Sequence, residues 1–153
     1  MPHPKGGYRD EDGKRIPGVT TVIGRFKESG GLIRWAYGRG RDGEELYESR
    51  DKAAEAGTAA HEMCERHIKG DTLIEGGQPT AKAREVANVP DEMFPLVWSS
   101  FQAYLAWERQ TQLKIVETEQ SYISAKGFGG TYDAIGEIDG KLCLLDWKTS
   151  NAV

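Results

Sequence analysis

The sequence predicts an α+β fold in which helices come first and a mixed central sheet, with an antiparallel hairpin at its heart, follows them. Three observations carry this expectation. Residues 90–110 set Phe94, Val97, Trp98, Phe101, Tyr104 and Leu105 at the i, i+3, i+4, i+7 spacing of an amphipathic helix. From Lys114 the composition changes to the alternating, β-branched run KIVETEQSYIS, which reads as strand. Asp139-Gly140 then falls between two apolar runs, and Asp-Gly is among the strongest two-residue hairpin signals.

The elements follow in order. Tyr8 to Thr21, YRDEDGKRIPGVTT, holds an Asp-Gly turn signal and reads as a small hairpin or ordered loop. TTVIGRF is expected to be a short helix capped by Thr20 or Thr21, and GLIRWAYGRG a second one. Asp42 to Lys69 is helical in composition with one interior glycine, Gly57. A glycine there costs about 1 kcal/mol relative to alanine, so it marks a break between helices or a close backbone approach. GDTLIEGGQPT, residues 70–80, reads as a loop. The helix over 90–110 should pack its apolar face on the sheet formed by 114–150. The 153 residues thus read as a single domain, helical over about 20–112 and sheet over 114–150.

Composition narrows the function. A content of 38% hydrophobic and 29% charged residues belongs to a globular chain. No apolar run approaches the roughly 20 residues of a membrane span, and the N-terminus lacks the apolar core of a signal peptide. An intracellular, cytoplasmic protein, bacterial or phage-encoded, is the expectation. The net charge of −4 argues against binding nucleic acid by bulk charge alone. Its distribution is uneven, with ten Lys and Arg against eight Asp and Glu in residues 1–50. Cys64 and Cys143 fall in a helix and a strand and read as small buried thiols.

Most chemistry is concentrated in the hairpin. If Asp139 and Gly140 are the central residues of a type I′ turn, Ile138 pairs with Lys141, and Asp133 falls opposite Asp146. Lys148 then shares a face with Asp146, as do Leu142 and Leu144. Two carboxylates directly across an antiparallel pair lie roughly 4.5–5.5 Å apart at Cβ and repel. A divalent cation such as Mg²⁺ or Mn²⁺ would offset that repulsion, with the backbone carbonyl of Trp147 as a further ligand. The alternative is a solvated sheet face on which Lys148 balances the two aspartates.

These residues resemble the PD-(D/E)XK nuclease superfamily, which has an acid on one strand and an acid, any residue and a lysine on the next. Asp133 and Asp146-Trp147-Lys148 match that pattern. GGTYD, DWKTS and the upstream Gly57-Thr58-Ala59-Ala60-His61 are similar to the RecB-type exonuclease branch, as are IPGVTTVIG and LIRWA. The resemblance covers about Ile16 to Ser150 and implies a restriction-endonuclease-like fold. It further implies that His61, Asp133 and Asp146 bind Mg²⁺ or Mn²⁺, that Lys148 positions or activates the attacking water, and that Glu119 is an occasional ligand. Without the resemblance His61 reads as a capping or core residue and Glu119 as surface charge.

The implied activity is metal-dependent DNA hydrolysis, most naturally by an exonuclease acting on single strands or duplex ends in recombination, repair or phage replication. Arg34, Trp35, Arg39 and Arg41 are candidates for contact with the nucleic acid, and equally read as a core aromatic with solvated arginines. Two features depart from the branch. Its QxxxY helix after the lysine strand has no counterpart here, so the sequence reads as a fragment, as a chain whose fold another chain completes, or as a reduced relative. With two cysteines, no iron–sulfur cluster is expected. A non-catalytic DNA-binding or assembly module derived from such a fold is the rival reading.

Overall fold

The computed structural model describes residues 4, 6–27, 30–43 and 45–148. It is a mixed α+β structure with two small antiparallel sheets. Helices α1 (Val19–Gly24), α2 (Gly30–Arg41) and α3 (Leu46–Ile68) lead into a small hairpin, β1 (Ile74–Glu75) and β2 (Gln78–Pro79). Helices α4 (Ala81–Ala87) and α5 (Phe94–Thr111) follow, and then β3 (Lys114–Ser124), β4 (Phe128–Ile138) and β5 (Lys141–Leu145) in the order β3-β4-β5. Among the described residues, no helix is long and apolar enough to cross a membrane.

Several expectations are corrected. The central sheet is antiparallel rather than mixed; among the described residues parallel pairing is limited to one bridge between Gly18 and Gly129. That bridge also fixes the start of α1. Gly129 N–H donates to the Pro17 carbonyl at 3.0 Å, holding Gly18 extended, so Gly18 rather than Thr20 or Thr21 is the N-cap and no side chain caps the helix. Helix α3 runs through Gly57 without a break. The expected loop over 70–80 contains β1 and β2, joined by Gly76-Gly77, both at positive φ as a tight primed turn requires. The sequence reading assigns no element to α4, which Thr80 caps through the Ala83 N–H at 3.2 Å.

The core lies between helices. On α3 the buried residues Ala56, Ala59, Ala60, Met63 and Cys64 follow helical spacing and form one stripe. Apart from Met63 these side chains are small, and Phe94, Val97, Phe101, Tyr104 and Leu105 of α5 pack against α3 and α4. The aromatic face of α5 is therefore taken up by helices and not, as expected, by the sheet. An open cleft of about 680 Å³ lies between α5 and β5. The two layers meet beside it through Trp147, whose ring stands edge-on to Tyr104 and Trp107 at 5.1 and 5.8 Å between centroids.

At its other end the sheet is tied to the N-terminal segment. Tyr8 packs over Gly129, where an added Cβ would fall within 2.6 Å of three Tyr8 atoms, and its hydroxyl meets Thr131 Oγ1 at 3.0 Å. Both cysteines are free thiols, as the sequence suggests, Cys64 buried and Cys143 half-buried. Burial, with Glu108 and Asp133 nearby, pushes the Cys64 thiol up to about 12. Since the thiolate is the reactive form, iodoacetamide at pH 8 should label Cys143 in the native chain and reach Cys64 only on unfolding. Mass spectrometry of tryptic peptides reads this, and native labelling of Cys64 would contradict its burial.

Candidate metal and phosphate site

The hairpin register is the one the turn chemistry predicts. Asp139 and Gly140 have φ of 51° and 72°, Ile138 pairs with Lys141, and the ladder continues to Ala134 opposite Leu145. There β5 ends, one residue before Asp146. Asp133 and Asp146 therefore occupy the rung just beyond the ladder and are not a paired couple within it. The backbone turns so that Trp147 N–H, at 2.5 Å, donates to Asp133 Oδ2. The Trp147 ring is drawn to Tyr104 and Trp107 on α5. Its carbonyl accepts from Lys148 Nζ at 3.3 Å.

Asp133 is 2% exposed, the one charged residue among the buried ones described. A carboxylate so placed is costly unless partnered. Besides Trp147 N–H, it faces His61, whose Nδ1 is 3.8 Å from Oδ2. That is too long for a hydrogen bond, and Nδ1 is a buried atom with no partner among the described residues. Position 61 follows Ala60 on the margin of the buried α3 stripe, which explains a side chain only 13% exposed and turned toward the sheet.

Glu119 joins this pair from β3. A register shift between Ile115 and Glu117 sets the later rungs, Thr118 with Ala134 and Gln120 with Tyr132, so Glu119 stands between them beside Asp133. Its φ is 53°. The other non-glycine residues with positive φ end helices, Asn88 and Gln112, or form the hairpin turn, Asp139. Glu119 alone of these four adopts it inside a strand, and such backbone strain of about 1–3 kcal/mol clusters at functional sites. Glu119 Oε2 is the second buried atom without a partner.

Burial first, then the charges of Glu65 and Asp133, raise the Glu119 carboxyl above its ordinary 4.5. A raised carboxyl contributes stability that is complete below its unfolded value and is lost as pH rises through the folded one. Without metal, Glu119→Gln should match the wild type near pH 4 and be the more stable protein at pH 7. Urea unfolding at the two pH values measures this; an equal change at both would remove the electrostatic cause. Glu65 is a member of the cluster that the sequence reading passes over. Its spacing of four from His61 puts the two on one helix face, a signal that was available.

The remaining candidates lie further out. Asp146 is 59% exposed at its side chain and forms an ion pair with Lys148 Nζ at 2.5 Å. Both line the cleft, with His61 and Trp147. Of the α2 candidates, Arg34 is exposed, Trp35 and Arg39 are half-buried, and Arg41 pairs with Asp42 at 3.1 Å; none of the four lines the cleft. Among the described residues, no group of three or more His, Cys, Asp or Glu side chains is gathered as a ready metal cage.

The chain matches no protein-family model, no curated protein and no solved structure. Function therefore has to be argued from these side chains. Asp133, the His61 imidazole and the Glu119 carboxyl are donors of the types a hard divalent cation takes, but among the described residues they are not gathered into a cage. Asp146 stands at the other end of the Asp133 rung, engaged with Lys148.

Proposed function

We propose that the chain is a metal-dependent deoxyribonuclease of the PD-(D/E)XK type, with a restriction-endonuclease-like fold, hydrolysing DNA phosphodiesters as an exonuclease in recombination, repair or phage replication. The observation that carries this reading is Asp133, buried at 2% exposure beside the unpartnered Nδ1 of His61. His61, Asp133 and Asp146 would hold Mg²⁺ or Mn²⁺, with Glu119 beside them. Once bound, the cation supplies a water of lowered pKa and neutralises charge on the phosphate.

The chain's own residues do the rest. Trp147 N–H holds Asp133 at a fixed angle, so the carboxylate is pre-organised rather than free to rotate. The His61 imidazole would offer Nδ1, buried and without a hydrogen-bond partner among the described residues, as a lone-pair donor to the cation. Lys148 is exposed, and its ammonium can leave Asp146 to offset the charge that accumulates on phosphate oxygens during displacement. Asp146, released in the same exchange, becomes free to complete the donor set.

A second reading is supported by a specific observation: Asp146 is engaged by Lys148, and among the described residues no three donor side chains are gathered. A non-catalytic DNA-binding or assembly module with a nuclease-derived fold would look the same. End-labelled single-stranded and duplex DNA, incubated with Mg²⁺, Mn²⁺ or chelator beside Asp146→Ala, separates the two. The nuclease reading expects metal-dependent shortening that the variant loses. Stable, metal-insensitive DNA binding without turnover would carry the second reading instead.

A further inference from the structure

The cleft between α5 and β5 has two chemically distinct parts. One end carries His61, Asp146 and Lys148. The rest is uncharged: Leu96, Ser99, Ala103 and Trp107 recur on one face of α5, opposite Leu144 of β5. Leu144 is 71% exposed although it is a large apolar residue, and Leu96 is exposed as well. The serines offer this wall acceptors but no free donor. Ser99 Oγ and Ser100 Oγ both donate to the Leu96 carbonyl, at 2.9 and 3.0 Å, so their hydrogens are already engaged within the helix.

With a cation held at the charged end as proposed, a ligand that fits is flat and apolar along most of its length and anionic at one end. At about 680 Å³ the cleft lies within the roughly 300–1,000 Å³ range of small-molecule sites. A nucleotide has that division, with a base whose faces stack on aromatic and apolar side chains and a phosphate beside it. A duplex does not, because its bases are paired and stacked inside and it presents a surface of phosphates. The walls offer no Lys or Arg to meet such a surface; the cleft's one lysine is Lys148, at the charged end.

We infer that the α5–β5 cleft seats an unpaired nucleobase next to the phosphate held at its His61–Lys148 end, so that the substrate is a single strand or a frayed end. This rests on the nuclease reading for the phosphate end and adds to it the strandedness and the base subsite. Trp107 is half-buried at the cleft wall, already tilted against Tyr104 at 6.4 Å between centroids. It is the aromatic surface for the base.

The test is fluorescence anisotropy with Ca²⁺ in place of Mg²⁺ or Mn²⁺, with one labelled oligonucleotide offered as an intact single strand, as the same strand with abasic sites, and as a blunt duplex. The intact strand should bind roughly tenfold or more tightly than the abasic strand, and the duplex no better than the abasic strand. Ala103→Trp fills the cleft from an exposed helix position. With an unchanged circular dichroism spectrum, it should erase the advantage of the intact strand and leave abasic binding as it was. Equal binding of the three forms, duplex preference, no binding at all, or indifference to Ala103→Trp would overturn the inference. So would a change of oligomeric state in Ala103→Trp without loss of DNA affinity, since a polypeptide would then be the occupant. Cleavage read separately keeps the two proposals apart. Base-dependent binding without metal-dependent cleavage sinks the nuclease alone, and cleavage of abasic and duplex DNA as fast as intact single strand sinks the base subsite alone.

Discussion

Asp133→Asn is expected to lower metal-dependent DNA cleavage by at least about a hundredfold while leaving the chain folded. Removing groups that merely orient a metal ligand already costs about 10–100-fold, and Asp133 is the central carboxylate of the proposed donor set. The asparagine carbonyl can still accept from Trp147 N–H, so the hydrogen bond survives and only the charge is lost. Asp133→Ala should differ in kind: it leaves Trp147 N–H buried and unpaired, at about 1–3 kcal/mol of stability. Initial cleavage rates, Mn²⁺ binding by calorimetry and urea midpoints distinguish the two variants. Wild-type cleavage by Asp133→Asn would sink the site.

Gly129→Ala is expected to be the most damaging single-methyl change outside the site. Its φ is not positive, so the constraint is steric: the new Cβ would lie within 2.6 Å of Tyr8 Cβ, Cγ and Cδ1. Relieving such overpacking costs about 1–3 kcal/mol, or roughly 2–12 °C in Tm for a chain of this length. Either Tyr8 leaves β4, losing its contact with Thr131, or the strand moves and loses the Gly129 bond to Pro17. In a Tyr8→Ala background the same substitution should cost little, and the double-mutant cycle isolates the clash. Additive losses would show that the damage arises elsewhere.

Much of the sheet was legible in the sequence because local chemistry dictates it. A two-residue Asp-Gly turn fixes one register, so the rungs from Ile138–Lys141 to Ala134–Leu145 follow from two residues. Where β5 stops was not legible. Its end depends on Trp147 finding Tyr104 and Trp107, which are about 40 residues earlier in the chain and invisible to a local pattern. The position of Glu119 was hidden for a similar reason, since the bulge after Ile115 leaves no compositional trace in KIVETEQ.

Among the helices, the periodicity of α5 announced a buried face but not its partner. The alanine stripe of α3 outcompeted the sheet for it. Helix α4, with only seven residues, is too short for a period to emerge. For the site, Asp133, Asp146, Lys148 and His61 could be nominated from spacing and resemblance. That Asp133 would be buried and Asp146 exposed could not, because burial depends on which layer closes over each end of the rung.

Trp147 ties the two layers together through two unlike contacts, a main-chain bond to Asp133 and a ring lodged against α5. The side chains of Asp146 and Lys148 bond only within the tripeptide, to each other and, for Lys148, to the Trp147 carbonyl, and both are largely exposed. Under selection for folding alone, a library randomised over these three positions should drift freely at 146 and 148 and retain an aromatic at 147. Under selection for function the order should reverse in emphasis, with 146 and 148 becoming invariant. The tripeptide thus carries two separate histories of constraint, and the residue that a motif would write as "any" is the one the architecture can least exchange.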